Sequence, residues 1–247
     1  MIILVRPLLA QLRVELLLAR RRGESVLITL VVPIVLLIFF GTVAPPFSGT
    51  GRPADFLVPG LLALAVMSTS MVSLGIATAY ERYYGALKRL LGSPLPRVSL
   101  LAAKTLAVLA IELLQILVLG TIAHVAFDWS PSGSPPLAVA GLLLGSVAFA
   151  GLGLLLAGTL RAEATLAVVN GLYLVFLLLG GFVFPLERLP GVVGTVSRLL
   201  PPAALSDATR GALSGSGSPD GVVGALAVLA IWAAVFGAAA ALTFRAE

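Results

Sequence analysis

Few side chains in this sequence are equipped for covalent or acid–base chemistry. There is no cysteine and a single histidine, His124. Thiolate nucleophiles, disulfide frameworks and HExxH-type zinc sites are therefore excluded, and a histidine relay has no second member. A phosphate-cradling loop needs the pattern GxxxxGK[ST]. The only Lys-Thr pair, Lys104–Thr105, follows Ala102 and Ala103 instead of glycine, so this chain is not expected to hydrolyse ATP. No GxSxG elbow occurs either. The residue that stands out is Glu112, a carboxylate inside a long apolar run. On a helix, Thr105, Glu112 and Gln115 fall within about 80° of one another. A charged group at such depth faces a protein interior or a water-filled cavity. Two roles fit Glu112: a protonated acid hydrogen-bonded to a neighbouring helix, or a member of a transport route. His124, beside Asp128 and Trp129, reads as an interfacial anchor.

The elements that must position these groups follow from composition. Of 247 residues, 59% are hydrophobic and 11% charged, and mean hydropathy is +1.10. A soluble surface carries about 25% charged residues, and the few present here cannot cover a water-soluble globule of this size. A polytopic helical membrane protein is the consistent reading. A spanning helix takes roughly 20 apolar residues, and six spans are expected near 26–44, 56–79, 100–125, 137–159, 165–184 and 222–243. The runs are continuous rather than alternating, unlike barrel strands. The first run is too long for a signal-peptide core and is expected to be a retained helix. Twelve basic residues fall on one side, including Arg6, Arg13, Arg20, Arg82, Lys88 and Lys104. Arg52, Arg188, Arg198 and Arg210 fall on the other. Basic residues concentrate on the cytoplasmic side, so both termini are expected there. The net charge of +5 and pI near 10.2 reflect topology, and no nucleic-acid partner is expected.

Three segments are expected not to cross. In residues 1–24, Leu8, Leu9, Leu12, Leu16 and Ala19 share one helical face. Arg6, Arg13 and Arg20 stack on one flank, and Gln11, Glu15 and Arg22 lie on the other. That is the pattern of a helix lying in the headgroup region, though a plain positive-inside anchor accounts for the charges as well. In segment 80–97, Tyr83, Tyr84, Leu87 and Leu91 recur at helical spacing. Gly92, Pro94 and Pro96 follow as helix stops. A short helix offering aromatic and basic residues suits docking to another protein; a solvated basic loop is the alternative. In segment 185–220, prolines punctuate short amphipathic runs, as in small helices dipping into the outer membrane surface, and Ser214–Ser218 is a flexible link. Within the spans, Ser68, Thr69, Ser70, Ser73 and Thr78 mark the second. Gly141, Gly145, Gly151, Gly153 and Gly158 mark the fourth. Close helix packing is the default reading of both; a polar route for an amphipathic molecule is the other.

The sequence resembles the ABC-2 type transporter permeases, including the daunorubicin/doxorubicin-resistance permeases. The resemblance rests on Glu81-Arg82-Tyr83-Tyr84-Gly85-Ala86-Leu87-Lys88-Arg89-Leu90 followed by Ser93-Pro94-Leu95-Pro96-Arg97. It rests also on Gly180-Gly181-Phe182-Val183-Phe184-Pro185-Leu186 with Leu189-Pro190, then Leu200-Pro201-Pro202 and Thr209-Arg210. It implies an all-α fold: one transmembrane domain over 1–247, with an N-terminal interfacial helix, a cytoplasmic coupling helix and short outer re-entrant helices. It further implies that Glu81, Arg82, Tyr83, Tyr84, Leu87, Lys88 and Leu91 contact a separate ATPase subunit. Ser70, Ser73, Asn170 and Tyr173 would lie near the substrate route, with Glu112 added from the sequence reading. Arg6, Arg13 and Arg20 would lie at the membrane interface.

The expected function is that of the permease subunit of an exporter in the cytoplasmic membrane of a bacterium. It would work as two permease chains, identical or related, with two ATPase subunits. ATP and Mg would bind the partner, and no cofactor or metal would bind this chain. An amphipathic or hydrophobic cargo is expected. Export of a glycan or lipid-linked glycan is the nearest rival. A proton-coupled secondary transporter and a membrane-embedded lipid-modifying enzyme are rivals of another class. The former would show internal repeats and interrupted helices, and the latter clustered carboxylates or histidines at one membrane face.

Overall fold

A computed structural model describes residues 2–21, 23–42, 53–91, 96–183, 185–186, 190–215 and 217–244. The side chains of Arg6 and Leu91 lie outside the described residues. So do Arg22, Gly92, Pro94, Phe184, Arg188 and Leu189, on which parts of the reading above fell. Among the described residues the structure is helical apart from short connections, and there is no strand. Its elements are α1 (Ile2–Arg21), α2 (Gly23–Thr42), α3 (Pro53–Met67), a π-helical segment (Ser68–Ser73) and α4 (Leu74–Tyr83). There follow α5 (Ala86–Leu91), α6 (Arg97–Phe127), α7 (Pro135–Thr159), α8 (Ala162–Leu179), α9 (Gly191–Leu199), α10 (Pro201–Ser214) and α11 (Pro219–Thr243).

Five helical runs among the described residues are long and apolar enough to cross a membrane: Pro53–Tyr83, Val98–Phe127, Pro135–Thr159, Ala162–Leu179 and Pro219–Thr243. Each overlaps a span expected from hydropathy. The first expected span falls on α2, whose apolar stretch Thr29–Thr42 is shorter than the other five. Local signals set the helix starts. Prolines occupy the first turns of α7, α10 and α11, where their missing N–H costs nothing. The Ser218 side chain also caps α11 by accepting from the Gly221 backbone N–H at 3.1 Å.

The run from Pro53 to Tyr83 is continuous through the π segment and spans 31 residues. At 1.5 Å per residue that is about 46 Å, well beyond a hydrocarbon core of about 30 Å. It is longer than a crossing requires, and its last turn leads directly into the segment that follows.

At the centre sits α7, which packs against α4, the π segment, α10 and α11. Its glycines make this contact possible, as the small-residue pattern suggests. A Cβ on Gly153 would stand 2.7 Å from the Met71 carbonyl oxygen. One on Gly151 would stand 2.9 Å from the Gly237 backbone nitrogen. Both neighbours are backbone and cannot swing aside. The main core surrounds α3 and much of α7, with Leu61, Leu64, Met67, Phe149, Phe182 and Leu205 fully buried. A second cluster, at the end of the bundle that carries α5, joins Leu74, Leu87, Leu100, Leu101, Leu154 and Phe244.

Replacing Gly153 with valine is expected to destabilise the bundle by about 1–3 kcal/mol through overpacking. A Cβ on Gly171 of α8 would meet nothing within 4 Å, and Gly171→Ala should leave stability unchanged or slightly raised. Unfolding midpoints of the two variants in one detergent check the contrast.

Candidate functional site

At one end of the bundle, α4 runs out at Tyr83 and the chain turns through Tyr84 and Gly85 into α5. Gly85 has a φ of +72°, the left-handed conformation that ends helices and suits glycine. The Tyr84 backbone N–H donates to the Tyr80 carbonyl, and that of Gly85 to the Arg82 carbonyl, both at 2.9 Å. Tyr83 and Tyr84 are 64% and 73% exposed, with rings edge-to-face at 5.2 Å. Lys88 and Arg89 are exposed beside them.

The residues grouped as one surface in the sequence divide into two sets. Leu87 is fully buried in the second cluster and fastens α5 to the bundle. Arg82 turns inward and donates to the Leu160 carbonyl at the end of α7. Glu81 also turns inward: its Oε2 accepts from Lys104 Nζ of α6 at 2.5 Å. The same ammonium stands 3.0 Å from Glu15 Oε1 of α1. Lys104 is 1% exposed. Sequence reasoning counted it as an inner-side charge. Nothing local signals its two distant carboxylates.

The α1 flank carrying Gln11 and Glu15 faces the bundle, with Gln11 Nε2 donating to Glu15 Oε1 at 2.8 Å. Arg13 and Arg20 are exposed, as are Leu9 and Leu16.

Deeper in the bundle, polar side chains gather around the π segment. Thr69 donates its hydroxyl to Gln115 Oε1 at 2.9 Å, and Gln115 Nε2 donates to Thr29 Oγ1 at 3.1 Å. The seam thus joins α2, the π segment and α6. Glu112 is buried one turn away and accepts from the Ser146 hydroxyl of α7. Ser146 is also 2.8 Å from the Leu142 carbonyl, and Ser70 donates to the Val66 carbonyl at 2.6 Å. π segments lie disproportionately at functional positions; the clustered hydroxyls are legible in the sequence, the π geometry is not.

The other residues linked to a route are elsewhere. Ser73 is half-buried at the end of the π segment. On α8, Asn170 is exposed and donates to the Leu166 carbonyl of its own helix at 2.8 Å. Tyr173 is half-buried against the core. Within one chain, Asn170 is thus on an outward face while Ser70 and Glu112 are inside. His124 Nδ1 lies 3.1 Å from the Trp129 carbonyl, at the outer end of α6.

At the opposite end of the bundle, α10 packs beside α8 and the turn that follows it. Gly181, with φ +68°, offers its carbonyl to Arg210 Nη2 at 2.8 Å and to the Ser206 hydroxyl at 3.2 Å. The Arg210 guanidinium lies 3.9 Å over the Phe56 ring. Phe182 is fully buried, and a Cβ on Gly60 would overlap its carbonyl oxygen at 2.0 Å. Sequence reasoning gave Arg210 no role beyond its side of the membrane.

A family model described as "ABC-2 type transporter" matches residues 8–214. A putative transport permease of Bacillus subtilis (strain 168), YvfS, is 28% identical over 73% of this chain and 75% of its own. A probable multidrug ABC transporter permease of Escherichia coli (strain K12), YbhR, is 26% identical over 77% of this chain and 52% of its own. ABC transporter G family member 20 of Dictyostelium discoideum is 29% identical over 68% of this chain and 24% of its own. The chain thus spans about half the E. coli relative and about a quarter of the Dictyostelium one.

Leu87→Ala is expected to cost about 2–5 kcal/mol as a core truncation. It should raise amide hydrogen exchange across α5, whereas Tyr84→Ala should stay within about 0.5 kcal/mol of the parent. Glu112→Gln keeps an acceptor for Ser146 and should fold with parental yield. Glu112→Lys, which sets an ammonium among buried apolar groups, should fail to accumulate in the membrane.

Proposed function

The chain belongs to the ABC-2 type transporter family, and on that premise we propose that it is the permease of an exporter, driven by a separate ATPase subunit that docks on Tyr83, Tyr84 and Lys88. As a member it is the membrane subunit of an ABC transporter. The observation that carries the docking proposal is the contrast within 80–91. An exposed aromatic pair with a neighbouring lysine projects from a segment that Leu87, Arg82 and Glu81 hold against the bundle. Exposed aromatic side chains on a rigid support provide contact area at low entropic cost. A push on such a surface moves the helices behind it instead of being absorbed in a loose loop.

In this reading two permease chains assemble with two ATPase subunits, which bind ATP and Mg. The apolar stretch of α2 supplies a sixth crossing, both termini lie on the cytoplasmic side of a bacterial membrane, and Arg6, Arg13 and Arg20 meet anionic headgroups. The exposed face of α8 bearing Asn170 borders the route between the two chains, with Ser70, Ser73, Glu112 and Tyr173 behind it. Cargo is amphipathic or hydrophobic. The weakly charged interior and the multidrug designation of the E. coli relative support that class.

The test is a search of the neighbouring genes for an ATP-binding-cassette subunit, then co-purification with it and reconstitution. The parent should retain the ATPase subunit and show ATP-dependent transport of a fluorescent amphipathic dye. The double variant Tyr83→Ala/Tyr84→Ala should insert normally and lose at least about tenfold in ATPase-subunit affinity, as removal of aromatic interface anchors does. Undiminished binding by that variant overturns the docking surface. Dye transport that continues without the ATPase subunit overturns the exporter reading.

A further inference from the structure

Lys104 has an ordinary explanation, as one more positive charge at the inner end of a membrane helix. Its placement does not fit that explanation. A lysine near a membrane surface has a long apolar stem and reaches outward to water when nothing opposes it. Lys104 instead points inward at 1% exposure, between Glu81 Oε2 at 2.5 Å and Glu15 Oε1 at 3.0 Å. The two carboxylates belong to different elements, α4 and α1, and each is about nine-tenths buried. A buried ammonium is retained when it is paired and hydrogen-bonded, and one Nζ here satisfies acceptors on two other helices.

The position of Glu81 gives this link its consequence. Tyr83 and Glu81 share the last turns of α4, with no flexible residue between them. The left-handed turn at Gly85 lies on the far side. A displacement applied at Tyr83 and Tyr84 therefore reaches Glu81 through rigid helix, before any hinge. From Glu81 it passes to Lys104 on α6 and from the same nitrogen to Glu15 on α1. Gln11, which donates to Glu15 at 2.8 Å, holds that carboxylate in place on its own helix.

We propose that Lys104 is the positioning residue that couples the interfacial helix α1 to the docking segment, so that α1, α4 and the start of α6 move as one body. The proposal rests on the reading of 80–91 as the ATPase-docking segment. It makes α1 a working part of force transmission in addition to a membrane anchor.

The absence of cysteine makes the test direct. Arg13→Cys and Arg89→Cys place spin labels on exposed positions of α1 and α5. Distances between them are read by double electron–electron resonance in nanodiscs, on the permease with its ATPase subunit, with and without ATP, Mg and vanadate. The parent is expected to give one narrow distance population in each state. In Glu15→Ala, which removes the acceptor on α1 and keeps the Lys104–Glu81 contact, the ATPase subunit should stay bound. The distribution should broaden, and the label on α1 should no longer follow the one on α5. Lys104→Met should lose the narrow population as well; if it does not accumulate in the membrane, Glu15→Ala decides. Narrow, parental distributions in Glu15→Ala overturn the proposal. So does a lowered unfolding midpoint with an unaltered response to ATP and vanadate, because that is the behaviour of an ion pair that only stabilises. If the ATPase subunit does not bind the parent, the docking reading has failed. The nucleotide-free distributions of the permease alone then still judge the link through Lys104.

Discussion

Inside a hydrocarbon layer no water completes a hydrogen bond, and every polar group has to find its partner in the protein. Most of this structure is a response to that constraint. Hydroxyls along the spans return their hydrogens to the carbonyl one turn back, as Thr105 does to Leu101, Thr121 to Leu117 and Thr159 to Leu155. The polar side chains that cannot be satisfied within their own helix converge on one seam. Gln115 reaches Thr29 and Thr69, and Glu112 takes the Ser146 hydroxyl. Such contacts carry directional information that apolar packing lacks, since lipid tails compete equally well for leucine. They set which faces of α2, α6 and α7 meet, and the glycines of α7 then let the backbones close to contact distance.

The two ends of the bundle solve the same problem with charge. At one end Arg210 covers the Phe56 ring and binds the Gly181 carbonyl, tying α10 to the turn after α8 and to α3. At the other end Lys104 is enclosed by Glu15 and Glu81. Between these ends lies the weakly charged interior. Tyr83, Tyr84 and Lys88 thus project from the end of the bundle that this ion pair ties together.

How much of this was legible in the sequence depended on the range of the signal. Hydropathy located five long spans to within a few residues, because a run of apolar residues reports its own burial. Glycine spacing on α7 foretold close packing for the same reason: a missing side chain is a local fact. The segment 80–91 was recognisable from its tyrosines and basic residues, yet its division into outward and inward sets was not. Helical spacing placed Leu87 with Tyr83 and Tyr84, but the turn at Gly85 breaks the helix between them and rotates Leu87 into the bundle. Lys104 was read as a topology signal, and Arg210 as that and a motif residue; neither was given a contact, because their partners lie far away in sequence. Asn170 and Ser70 were associated through resemblance, and one lies on an outward face while the other is buried.

The π segment at Ser68–Ser73 also sets the angular phase of everything beyond it. A π turn contains more residues than an α turn, so each surplus residue offsets the faces of the following helix by about 100°. Pro53–Met67 and Leu74–Tyr83 are two stretches of one rod whose rotational settings are independent of a single 3.6-residue period. Outer packing against α10 and inner pairing with Lys104 each demand their own setting, and the π segment reconciles them. A one-residue deletion there would barely alter composition and hydropathy while swinging Glu81 away from Lys104. For this helix, chain length is a structural variable in its own right, separate from residue identity.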